Sequence, residues 1–143
     1  MNKYEYLIRR IWDPVYNEYA MLSQKGKNFQ FQGKPYPYFL ARYNVTALNE
    51  RSVEIPIICD VIRKNQGKEI LEIGNVLSHY YSVNHTIVDK FERGRDVINE
   101  DICSYSPGRQ FDLIVSISTI EHIGYGYESE NHPEDVFRAI ATI

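Results

Sequence analysis

The chain has 143 residues, a net charge of −3 and a sequence pI near 5.8. That length suits one ordinary domain with a single core, and the acidic balance, whose densest basic feature is the pair Arg9 and Arg10, gives nucleic-acid binding by charge no support. Cys59 and Cys103 stand in no metal-like spacing and no apolar run approaches the roughly 18 residues of a membrane span, so a disulfide framework, a zinc site and a membrane span are not expected.

The start, "MNKYEYLIRRIWDP", has no uninterrupted apolar core or small-residue cleavage site, so an unexported, cytoplasmic protein is expected. Tyr4, Leu7, Ile8, Ile11 and Trp12 recur at helical spacing, and Asp13-Pro14 discourages continuation, because the residue before proline is pushed out of the helical region. A short amphipathic helix follows from this, its apolar stripe packing on the domain in preference to a membrane or partner.

In "NFQFQGKPYPYF", Phe29 and Phe31 alternate with glutamines, Gly33-Lys34 offers a turn, and Tyr36 and Tyr38 alternate beyond it. The pattern predicts a hairpin with one aromatic face, either a lid over the core or an aromatic wall for a substrate. Pro35 and Pro37 restrict its second arm to an edge or irregular strand. "NERSVEIPIICDVIRKNQG" predicts a helix with Ile55, Ile58 and Ile62 on one face and Ser52 or Asn49 as cap; Pro56 falls in the first turn if Ser52 caps.

Three β-like runs follow: Glu69 to Gly74, His85 to Phe91 and Phe111 to Thr119, the last apolar enough for a strand covered on both faces. A short helix is predicted over Val76 to Tyr81, a turn at "SPGRQ", and a last helix with Pro133 at its first position and Glu134 and Asp135 in its first turn. This alternation argues for an α/β parallel sheet, in which ligands sit at the carboxyl ends of the strands. The polar residues there are Glu72 and Gly74, Asp89, Asp101, and Ser116 to His122.

"ILEIG", "IVDK", "NEDI" and "FDLIVSISTIEHI" together resemble the successive cofactor motifs of class I S-adenosylmethionine-dependent methyltransferases, over roughly Asn49 to the end. "FQGKPYPYF" and "NERSVEIPI" look like an N-terminal cap of the same group. The resemblance implies a Rossmann-like parallel sheet with flanking helices, incomplete at about four strands, spanning 49–143 as the N-terminal half of the catalytic domain. Residues 1–48 would form a cap of helix and aromatic hairpin.

Position by position, it implies that Glu72, Gly74 and Asn75 belong to the first cofactor loop and that Asp89 binds the ribose hydroxyls. Asp101 and Ile102 would flank the adenine, and the backbone near Ser116 would close the pocket. His122 is the candidate general base for transfer to an unknown acceptor, its alternative being a packing role at the loop base. Metal use is not expected, since Ser118 stands where a further carboxylate beside Glu121-His122 would be wanted. Tyr125 and Tyr127 lie on a loop over the expected pocket.

Three departures stand against the resemblance. The first turn holds one glycine: alternate glycines would need Gly at Val76 and Ser78, and an NAD fingerprint would need it at Val76 and His79. S-adenosylmethionine has no phosphates, so the shortage weighs more against an NAD-type oxidoreductase or epimerase. The link from Asp89 to "DVINE" is too short for a crossover helix and predicts either an extended rim or a degenerate third strand. The chain also stops inside the helix after the fourth strand, which suggests a truncated fragment with an apolar sheet edge prone to self-association. A non-catalytic remnant that binds nothing or only a partner chain is the remaining alternative.

Overall fold

The computed structural model describes residues 3–125 and 132–142, with side chains over 12–125 and 132–141; Tyr127 and the side chains of Tyr4 to Ile11 lie outside the described residues. The chain forms two compact units, Met1–Asp60 and Val61–Ile143. They divide inside a helix, twelve positions beyond the boundary expected at 48/49.

In the first unit, helix α1 runs over Lys3–Gln24, straight through Pro14, where the sequence predicts a stop. The half beyond Pro14 is tied down by its own polar side chains. Asn17, 1 % exposed, donates to the Ala41 carbonyl and accepts from the Ala47 N–H, and Gln24 donates to the Ala47 carbonyl at 3.1 Å. Those bonds offset the single helical bond that an N–H-less proline removes. Of the predicted stripe only Trp12 falls among the described side chains, and it is 51 % exposed.

Strands β1 (Asn28–Phe31) and β2 (Lys34–Pro37) pair antiparallel, as the alternation predicts, with Phe29 stacked on Tyr36 across the ladder. The turn is Gln32-Gly33, not Gly33-Lys34, and both residues have positive φ, 48° and 75°, the signature of a two-residue type I′ connection. Counting from the closing pair Phe31–Lys34, both prolines fall in pairs that exchange no hydrogen bonds, so neither breaks the ladder.

Helix α2 spans Arg51–Lys64, with Asn49 accepting the Arg51 N–H in the cap position. Ser52 lies inside the helix, so Pro56 falls in the second turn and leaves the Ser52 carbonyl without its helical donor. The Phe39 N–H donates to that carbonyl at 2.8 Å.

In the second unit, β3 (Ile70–Ile73), β4 (Thr86–Val88), β5 (Val97–Ile98) and β6 (Leu113–Ser116) form a parallel sheet in the order β5-β4-β3-β6. The protein is thus α/β with a four-stranded parallel sheet. The short link after Asp89 leads to a degenerate two-residue strand, the second of the two predicted alternatives. β3, in the middle, is the strand buried at every position. β6 lies at the edge with only Val115 buried, so the expectation of a last strand covered on both faces is corrected.

Leu71, Ile73 and Val88 meet Ile102, Tyr105 and Ala139 in one core, the last contributed by helix α3 (Asp135–Thr142). That helix begins two residues after Pro133, not at it, because the Glu134 carbonyl is the first to accept helical N–H groups. The helix predicted over Val76–Tyr81 is a single 3₁₀ turn, Leu77–His79. Among the described residues no helix is long and apolar enough to cross a membrane.

Candidate functional site

The order of the parallel strands reverses between β3 and β6, and in open α/β sheets ligands bind outside the carboxyl ends of the strands at such a point. A cavity of about 290 Å³ opens there. Ile73, Val88 and Ile102 give it an apolar floor. Gly74, at φ +87°, carries the chain out of β3 so close to β6 that a Cβ would stand 2.2 Å from Thr119 Oγ1. Only glycine fits both the conformation and the space.

Beyond Gly74 every backbone donor of the turn is already engaged. The Gly74 N–H bonds the Val88 carbonyl, and Asn75 N–H bonds Asp89 Oδ2, both at 2.9 Å. Val76 and Leu77 N–H both donate to Glu72 Oε1, at 3.0 and 2.8 Å. Glu72 is fully buried, and its other oxygen lies 2.6 Å from His85 Nε2. Its carboxylate therefore braces the turn and does not line the cavity. An anion would find no free N–H at positions 74 to 77 and two carboxylates behind them.

Asp89 does line the cavity. Its Oδ1 accepts from Phe91 N (2.8 Å) and Glu92 N (2.7 Å), whereas among the described residues Oδ2 accepts only from Asn75 N. One lone-pair direction remains on Oδ2 for a ligand hydroxyl, where the expectation for a ribose diol is two acceptor positions.

Across the rim, Lys90 Nζ meets Asp101 Oδ2 at 2.8 Å, and Asp101 Oδ1 accepts the Cys103 N–H. Burial pushes the Asp101 carboxyl up, but the hydrogen bonds from Lys90 and Cys103 N–H, with the Lys90 charge, outweigh it and hold the group below its ordinary value. Lys90 is held above its own by the hydrogen bond to Asp101. The Cys103 thiol, pushed up by burial and then by the Asp101 charge, stays protonated and donates to the Asp135 carbonyl. It is a poor nucleophile for that reason.

Of the residues named from sequence, Gly74, Asp89, Asp101, Ile102, His122 and Tyr125 are brought together around the cavity. Glu72, Asn75 and Ser116 are not: Asn75 bonds Glu92, and Ser116 donates to the Ile73 carbonyl while Ser118 and Thr119 face the cavity. The His122 ring is exposed and bonded by no side chain among the described residues. Lys90, Glu100, Cys103 and Asp135 line the site although the sequence pointed to none of them as site residues. For Lys90 and Glu100 the signal was present, since each is the charged neighbour of a strand-end aspartate. Among the described residues no group of three or more His, Cys, Asp or Glu is placed to hold a metal.

The chain matches no protein-family model, no curated protein and no solved structure.

Proposed function

We propose that the unit beginning at Val61 is a Rossmann-like, S-adenosylmethionine-binding methyltransferase fold, and that its cavity presents the activated methyl group to an acceptor. The observation that carries this reading is charge. Asp89, Glu100, Asp101 and Asp135 line the cavity, and Lys90 is the only lysine or arginine among its described lining residues. Such a wall favours a cationic sulfonium and disfavours a pyrophosphate. The engaged donors of the Gly74 to Leu77 turn support the same choice, because a dinucleotide needs free backbone N–H groups there.

In this reading Ile102 and the apolar floor take the adenine, and Asp89 Oδ2 accepts one ribose hydroxyl. The cofactor supplies a methyl carbon activated by positive sulfur. The protein holds the ligand in line, and His122, exposed and bonded by no side chain among the described residues, accepts a proton from an oxygen or nitrogen acceptor at its ring nitrogen. Tyr125 stands beside it on the cavity wall.

Calorimetric titration tests the reading. S-adenosylmethionine and S-adenosylhomocysteine should bind saturably and NAD should not. Asp89→Asn keeps an oxygen for the loop but loses the charge, and should weaken binding about tenfold or more. Tighter binding of NAD, or no binding of either sulfur ligand at millimolar concentration, would overturn it.

A further inference from the structure

We infer that the outward face of α1 is a self-association surface on which a second copy of the same helix docks. Beyond Pro14 this helix is built inside out. Its polar residues Asn17 and Gln24 face the unit and bond its backbone, while Trp12, Val15, Tyr16, Tyr19 and Leu22 point to solvent, the last two each 73 % exposed. A helix normally turns such a stripe toward a core.

The spacing identifies the occupant. Trp12, Val15, Tyr19 and Leu22 are separated by three, four and three residues, the seam of a helix that packs knobs into the holes of another helix. Antiparallel pairing about the level of Asn17 sets Trp12 against Leu22 of the partner copy and Val15 against Tyr19 of the partner copy. Each layer then joins a large ring to an aliphatic side chain, and the surface is complementary to itself, as a two-fold interface requires.

The area is sufficient. With about 150–250 Å² per aromatic side chain, the five exposed side chains offer on the order of 600 Å² per chain, or about 1,200 Å² for the pair, the lower limit of a standard specific interface. Glu18, beside the seam, is held by Arg42 of its own chain, so its carboxylate does not meet its copy uncompensated. A lipid surface is the weaker fit, because an interfacial helix presents a basic polar face to water and this one binds its polar face to protein.

Sedimentation velocity of the full chain from about 1 to 100 µM should show a dimer. Leu22→Glu and, separately, Val15→Glu should raise its dissociation constant about 30-fold or more with the circular dichroism spectrum unchanged. Oxidising a mixture of Val15→Cys and Tyr19→Cys chains should give the mixed disulfide above the background set by Cys59 and Cys103. A monomer at 100 µM, a dimer that both glutamate variants leave intact, or recruitment of a monomeric chain to anionic phospholipid vesicles would overturn the inference.

Discussion

Lys90 and Asp101 meet on the cavity rim, half exposed, and their shifts fix the sign of a pH effect. The Asp101 carboxyl titrates below its ordinary 3.8 when folded, so its contribution is present above that value and is lost as pH falls through the folded one. Lys90 titrates above 10.5, so its contribution is complete below that and is lost as pH rises through the folded value. Between these limits Asp101→Asn should lower Tm by about 1–3 °C, a small effect because water screens an exposed pair. Scanning calorimetry from pH 7 downward checks it; a gap that does not narrow as the solution is acidified would assign the loss to packing. At this scale a sequence shows which residue types stand at strand ends but not where their atoms point. Asp89 and Asp101 are legible because a strand's end is itself a place. Glu72 is not: its position in an inward-facing β3 pattern looks the same whether the carboxylate faces a ligand or braces Val76 and Leu77 N–H, and His85 lies thirteen residues away.

The two arms of the β1–β2 hairpin follow from alternation alone, and its turn from the single glycine, displaced by one position. Gln32 occupies φ 48°, a left-handed conformation that costs an ordinary residue about 1–2 kcal/mol and asparagine less. Gln32→Asn creates the Asn-Gly pair that type I′ turns prefer and should stabilise the unit by about 0.5–1 kcal/mol, read as a higher urea midpoint at unchanged slope. No gain would mean that the turn is set by the Phe29, Tyr36 and Tyr38 packing. The helices were less legible, because proline rules are local while their compensation is not. Pro14 ought to end α1 and Pro56 to start α2. Each sits inside its helix because bonds arriving from distant segments hold the chain there: Ala41 and Ala47 to Asn17, Phe39 to the Ser52 carbonyl.

Across the molecule, β3, β4 and β6 were readable as β-branched runs, but their order β5-β4-β3-β6 is a tertiary fact, and so is the degree of cover on β6. That order brings the exits of β3 and β6 side by side, with Gly74 close against Thr119. Gly74→Ala adds two costs there. The positive φ costs an alanine about 1–2 kcal/mol, and the overlap with Thr119 forces a shift of backbone or side chain that costs about 1–3 kcal/mol. Chemical denaturation should therefore show a loss of about 2–5 kcal/mol. Adding Thr119→Gly removes the overlap but not the strain, since Thr119 Cβ also falls within 2.8 Å of the new methyl. The double-mutant cycle should return a coupling of about 1–3 kcal/mol, the cost of the overlap, with the cost of the positive φ left in place. A Gly74→Ala protein within about 1 kcal/mol of the native one would show that the strand exits can separate, and the cavity between them would then not be a fixed feature of the fold.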